Sequence, residues 1–125
     1  MQVKFEESGK PLKRSRNRHG ETCEEQLRRM CKNIAQEITD GLKIDDTSGT
    51  GTVTEWMDGV YDIEWITHQD KTYKAARLLV AGGGPSIWVN LQRKVVQGYW
   101  WGDYCECPFV DNIGLDDYCE ELYGC

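Results

Sequence analysis

Residues 82–104 read GGGPSIWVNLQRKVVQGYWWGDY, and this stretch contains the two clearest strand patterns in the chain. In its first half, Ile87, Val89 and Leu91 alternate with other side chains, and the second half largely repeats the pattern. A period of two residues is typical of β-strands that bury one face. A short polar turn separates the two halves, and three glycines precede them. We therefore expect a β-hairpin that is entered through a glycine-rich corner.

Two further strand patterns precede this hairpin. In residues 61–66, Tyr61, Ile63 and Trp65 alternate with Asp62, Glu64 and Ile66, and residues 73–81 end in the apolar run LLVA. A polar turn at residues 68–71 joins them. Together with the hairpin they predict a four-stranded antiparallel meander. Residues 103–114, DYCECPFVDNIG, are expected to be irregular.

The N-terminal half contains one long amphipathic pattern. Thr22 and Glu25 have capping-box spacing, and Gly41 lies where a helix would end. These signals predict a helix over Cys23–Asp40. Its buried stripe at helical spacing consists of Leu27, Met30, Cys31, Ile34 and Ile38.

Two shorter helices are predicted beyond it. Thr52 and Glu55 repeat the capping-box spacing before a short helix, although Asp58-Gly59 could instead be a hairpin turn. The segment LDDYCEELYG, residues 115–124, has apolar residues on one helical face. The predicted fold class is therefore α+β, with helices on one face of an antiparallel sheet.

Charge divides the chain into two parts. The net charge is −6, yet residues 1–32 contain nine basic and five acidic side chains. We expect residues 1–20 to form a flexible basic arm and residues 21–125 to form a single α+β domain. In the arm, Lys13, Arg14, Arg16 and Arg18 could bind nucleic acid, or could simply keep the tail soluble.

The N-terminal residues show neither a secretory signal nor a long apolar run, so we expect a cytoplasmic protein. In that compartment its six cysteines would stay reduced. Four of them fall within the last 21 positions and are candidate zinc ligands: Cys105, Cys107, Cys119 and Cys125. Their spacing differs from the usual paired zinc knuckle, and buried free thiols are the alternative, so no cofactor is expected.

The sequence contains no recognisable catalytic set. The two histidines, His19 and His68, lie in unrelated segments, and no serine occupies a nucleophile-elbow motif. The three glycines before Pro85 lack the lysine of a phosphate-binding loop. We therefore expect a protein that is not an enzyme.

The segments GGGPSIWVN, VVQGYWWGDY and LDDYCEELYG resemble small proteins carried by phages, prophages and conjugative elements of low-GC Gram-positive bacteria. The resemblance covers roughly the second half of the chain. It implies a setting similar to that of anti-CRISPR and anti-restriction proteins, many of which are short, acidic and non-enzymatic. The positive charge of the basic arm differs from what a protein that mimics DNA over its whole surface would carry.

This resemblance implies a phage-type inhibitor, active in the cytoplasm of the host bacterium. It would bind a basic nucleic-acid-binding surface of a host defence nuclease, such as a CRISPR effector, as a DNA mimic. The expected charged contacts are Asp103, Glu106, Asp111, Asp116, Asp117, Glu120 and Glu121, and the expected aromatic anchors are Trp100 and Tyr104. A solvated acidic face is the simpler interpretation of the charge. The alternative function is a nucleic-acid-binding accessory protein that uses the basic arm, with or without stabilisation by zinc.

Overall fold

The computed structural model describes residues 20–41 and 52–125, so the predicted basic arm, with Lys13, Arg14, Arg16 and Arg18, lies outside the described residues. The described part is α+β. The helices are α1 (Cys23–Asp40), α2 (Val53–Met57) and α3 (Leu115–Tyr123); the strands are β1 (Asp62–Thr67), β2 (Tyr73–Ala81), β3 (Ser86–Asn90), β4 (Val95–Trp100) and β5 (Asp103–Pro108).

The sheet is an antiparallel meander of five strands in the order β1-β2-β3-β4-β5. The prediction of four strands, with an irregular segment after the fourth, was therefore wrong. Residues 103–108 pair with β4 along its whole length, with Gly98 opposite Cys105 and Tyr99 opposite Tyr104. The connection between the two strands is only Trp101-Gly102, so the chain turns back at once.

The two capping boxes form as predicted. The Thr22 side chain accepts a hydrogen bond from the Glu25 amide, and the Glu25 carboxylate accepts one from the Thr22 amide. Thr52 and Glu55 do the same at the start of α2, which confirms the helix rather than the Asp58-Gly59 hairpin. These reciprocal bonds satisfy backbone amides that have no partner within the helix.

The core lies on one face of the sheet. Helix α1 packs across β4 and β5, and α3 packs against β2. Leu27, Cys31 and Ile38 of the predicted stripe are fully buried, while Met30 and Ile34 lie at its margin. These side chains join one apolar cluster with Leu78, Val89 and Val96 of the central strands and with Leu115 and Cys119 of α3.

The close approach of α1 to β4 depends on Gly98. A Cβ atom at this position would lie 2.4 Å from the Sγ of Cys31 and 2.9 Å from Cδ1 of Leu27. Both distances are far shorter than a normal van der Waals contact. The missing side chain therefore lets two α1 residues sit directly on the β4 backbone.

Asp111 determines where α3 begins. Its carboxylate accepts hydrogen bonds from the backbone amides of Gly114, Leu115 and Asp116, at 2.9–3.0 Å. Gly114 itself has φ +88° and carries no side chain that could cap the helix. Three otherwise unpaired amides are thus satisfied from outside the helix. Among the described residues, none of the helices is both long and apolar enough to cross a membrane.

Candidate functional site

The face of the sheet opposite the core is the leading candidate surface. No described helix packs on it, because the side chains of α1, α2 and α3 all join the apolar cluster on the other face. We call it the uncovered sheet face. The strand registers place on it Asp62, Glu64, Arg77, Leu79, Trp88, Asn90, Gln97, Tyr99, Tyr104 and Glu106.

A chain of hydrogen bonds runs across the centre of this face. The Asn90 amide donates to the Gln97 carbonyl at 3.3 Å, and the Gln97 amide donates to the Tyr104 hydroxyl at 3.2 Å. The Tyr104 hydroxyl donates to Glu106, whose carboxylate also accepts two bonds from the guanidinium of Arg93. Asn90 and Gln97 are each only 7% exposed. The network fixes the position of the Tyr104 ring.

The charge states of this network follow from its contacts. The hydrogen bonds from Arg93 and then Tyr104 hold the pKa of Glu106 below its usual range. Burial, followed by the hydrogen bond to Glu106, raises the pKa of Tyr104. At neutral pH the carboxylate is therefore charged and the phenol neutral, so the donor and acceptor roles are fixed.

A second group lies nearer β1. Arg77 pairs with Glu64 at 2.9 Å, and its guanidinium carbon lies 4.3 Å from the centre of the Trp88 ring. A guanidinium over an indole is a favourable cation–π arrangement. The Arg77 Nε is buried and has no hydrogen-bond partner in the described structure. The two arginines beside this face are thus each neutralised by a glutamate.

Exposed aromatic side chains lie at the other end of the face. The rings of Tyr99 and Tyr104 pack at a centroid distance of 4.8 Å and remain 40% and 45% exposed. Trp101, in the β4–β5 turn, is 80% exposed and has φ +51°. Large side chains rarely adopt this backbone conformation, which makes the position an outlier that points to function.

The two predicted aromatic anchors lie in different surroundings. Tyr104 lies on the uncovered sheet face, whereas Trp100 is half-buried against the apolar cluster and beside Gly84. Tyr99 and Trp101, which are 40% and 80% exposed, were not among the predicted anchors. The available signal for Trp101 was the Trp-Gly pair, because a two-residue hairpin turn of type I′ has positive φ at both positions and favours glycine at the second.

The seven predicted acidic contacts do not form one patch. Glu106 belongs to the sheet-face network, and Asp103 pairs with Trp100 across the hairpin. Asp111 caps α3, and Asp116 accepts a 2.7 Å hydrogen bond from the hydroxyl of Tyr73. Three acids remain exposed on α3, and none of them forms an ion pair with a residue that the structure describes: Asp117, Glu120 and Glu121.

The four cysteines considered for zinc are also separated. Cys105 and Cys107 lie on β5, Cys119 is buried on α3, and Cys125 is exposed after it. Within residues 20–41 and 52–125, no group of three or more histidine, cysteine or acidic side chains could hold a metal ion. These four cysteines are therefore close in the sequence but do not come together in the fold.

Two shallow clefts lie beside α1. One, of about 310 Å³, is lined by Lys32, Gln36, Thr39 and Cys107, and the other, of about 360 Å³, by residues that include Glu37 and Trp56. In the second cleft the Trp56 indole donates to the Glu37 carboxylate at 3.0 Å. No described histidine lines either cleft.

Comparison of the chain with protein-family models, with curated proteins and with solved structures found no match.

Proposed function

We propose that the protein is a non-enzymatic inhibitor of anti-CRISPR type, which binds a basic nucleic-acid-binding surface of a host defence nuclease. The observation that carries this proposal is the uncovered sheet face, on which no described helix packs and which has exposed aromatic rings. The class of partner comes from the resemblance of the C-terminal half to proteins of phages and mobile elements. In this proposal, aromatic side chains make the contact with the partner, and acidic side chains attract it electrostatically.

Aromatic side chains provide the contact. Exposed tyrosine and tryptophan contribute most to protein interfaces when they are already held in place, because little conformational entropy is then lost on binding. Tyr104 is held by Gln97 and Glu106, and Tyr99 packs on its ring. Trp101 extends from the same hairpin. These three residues form the proposed anchor.

Acidic side chains provide the attraction. Within the described residues, 17 are acidic and eight are basic, so that part of the protein carries a net charge of −9. Asp117, Glu120 and Glu121 lie on α3, on the opposite side of the sheet from the anchor. Charges outside a contact surface still steer a basic partner toward it and so raise the association rate.

The same surface argues against bare nucleic acid as the ligand. Aromatic rings on an open sheet can stack on bases, but such surfaces use unpaired basic residues to hold phosphates. Here Arg77 is neutralised by Glu64, and Arg93 by Glu106. With Asp62 added, the charge of the face is negative, which favours a protein partner.

Binding kinetics with purified CRISPR and restriction nucleases test the proposal. Tyr99→Ala or Trp101→Ala should raise the dissociation rate about tenfold or more, as at other aromatic hot spots. The matched control is Tyr61→Ala, because Tyr61 is 75% exposed but precedes β1, outside the uncovered sheet face. The control should leave the dissociation rate unchanged.

The acidic contribution is tested separately. A triple variant, Asp117→Asn with Glu120→Gln and Glu121→Gln, should lower the association rate several-fold at low salt and leave the dissociation rate unchanged. Salt-dependent binding of bare DNA or RNA by the protein, with no captured nuclease, would contradict the proposal and favour the accessory-protein function of the basic arm.

A further inference from the structure

Two cysteines from distant parts of the chain meet in the core. Cys31 on α1 and Cys105 on β5 are separated by 74 positions, and the Cys105 thiol donates a hydrogen bond to the Cys31 sulfur at 3.2 Å. Cys31 is fully buried and Cys105 is 6% exposed. Among the described residues this is the one hydrogen bond between two thiols.

The surrounding packing holds the two sulfurs together. Cys31 lies directly above Gly98, and Gly98 is the β4 partner of Cys105, so the two thiols share the space that the glycine leaves. Leu27 closes the same space from the preceding turn of α1. The two sulfurs therefore lie side by side at the contact between α1 and the sheet.

We propose that Cys31 and Cys105 are a disulfide site that links α1 covalently to β5 when a low-molecular-weight disulfide, such as oxidised glutathione, is present. The S–S bond is about 2.0 Å long, so the sulfurs must approach by a distance on the order of 1 Å.

The chemistry is ordinary thiol–disulfide exchange. The thiolate of one cysteine attacks oxidised glutathione, which forms a mixed disulfide and releases one glutathione as its thiolate. The other cysteine then loses its proton and attacks the mixed disulfide, which forms the Cys31–Cys105 bond and releases the second glutathione. Two protein thiols are oxidised and one glutathione disulfide is reduced to two thiols.

Burial makes the reaction slow in the closed fold. Removal from water, with the contact to Cys105 as the second cause, raises the pKa of Cys31, so little reactive thiolate is present at neutral pH. The exchange therefore proceeds as α1 opens locally from the sheet. Once formed, the bond prevents that opening and restricts the unfolded chain over a long loop.

The experiment uses the wild-type protein as folded. It is incubated with oxidised glutathione, its free thiols are alkylated, and it is digested without reduction by trypsin and glutamyl endopeptidase. Cleavage after Lys32 releases the Cys31 peptide, and cleavage after Glu106 separates Cys105 from Cys107. The expected result is a linked Cys31–Cys105 peptide and a melting temperature about 10 °C higher.

Cys107→Ser is the matched control, because Cys107 lies two residues along the same strand and lines a surface cleft. This variant should keep the linked peptide and the higher melting temperature. Cys31→Ala and Cys105→Ala should each lose both. A link through Cys107, or glutathione retained as a mixed disulfide without a Cys31–Cys105 peptide, would overturn the proposal. Peptide mapping of the wild-type protein decides this even if an alanine variant fails to fold.

Discussion

At position 98 there is no room for even one additional carbon atom. The clash would involve the Cys31 sulfur and a Leu27 methyl group, both of which are fully buried. Neither is the free end of a side chain at the surface. Relief would require α1 to move away from β4, and this would open contacts along the whole interface.

We therefore expect Gly98→Ala to lower the free energy of unfolding by about 1–3 kcal/mol, as overpacking does in other cores. Urea denaturation measures the effect. Gly82→Ala is the matched control, because a Cβ at Gly82 meets nothing within 4 Å. Adding Cys31→Ala to Gly98→Ala should recover part of the loss. Equal stability of the two alanine variants at positions 98 and 82 would contradict this account.

At the scale of the element, the β4–β5 hairpin combines a strained backbone with an exposed side chain. Trp101 and Gly102 have φ values of +51° and +84°, the pattern of the hairpin turn that favours Asn-Gly. Tryptophan is a poor choice for the first position of such a turn. A residue that costs stability and lies in solvent is typical of a contact site.

Trp101→Asn should therefore change stability and binding in opposite directions. We expect the free energy of unfolding to rise by about 1 kcal/mol, because asparagine tolerates the left-handed conformation better. Affinity for the proposed nuclease partner should fall, because the indole is lost. Urea denaturation and binding measurements on the same preparation check both. A variant that is both less stable and equally tight would contradict the assignment.

Sequence signals were most reliable where the structure depends on neighbours in the chain. The boxes of Thr22 with Glu25 and of Thr52 with Glu55 predicted the starts of α1 and α2, because capping is a local interaction. Strand β5 was missed for the opposite reason. Its sequence, DYCECP, has weak strand propensity and ends in proline, and its pairing with β4 supplies what the propensity lacks.

At the scale of the whole molecule, the roles of the acidic residues depend on contacts that the sequence does not show. Asp116 and Asp117 are adjacent in the sequence. Asp116 accepts a hydrogen bond from the hydroxyl of Tyr73, 43 positions away, whereas the side chain of Asp117 is exposed. From their charge alone, both residues were predicted to contact the partner. The sequence indicated that the candidate site would contain acidic and aromatic residues. Which of these residues lie together on one surface followed only from the fold.

Alkaline pH should destabilise the whole domain. Burial raises the pKa of Cys119 to about 11, and burial with the hydrogen bond to Asp116 raises that of Tyr73. In the unfolded chain these groups lose their protons at lower pH than in the folded chain. The unfolded state then binds fewer protons, so the free energy of unfolding falls as pH rises above about 9.

Urea midpoints measured at about pH 8 and about pH 10.5 should therefore differ, with the lower midpoint at the higher pH. Cys119→Ala removes one contributing group and should reduce the difference. Identical midpoints of the wild-type protein at both pH values would contradict the effect of burial on these groups.

The contact between Gly98 and Cys31 also predicts a constraint on the sequences of homologues. Any homologue that keeps α1 at this distance from the sheet must hold the summed volume of the two positions nearly constant. A larger residue at position 98 should then appear together with a smaller one at position 31. Correlated substitution at this pair would identify distant members of the lineage after their overall sequence similarity has been lost.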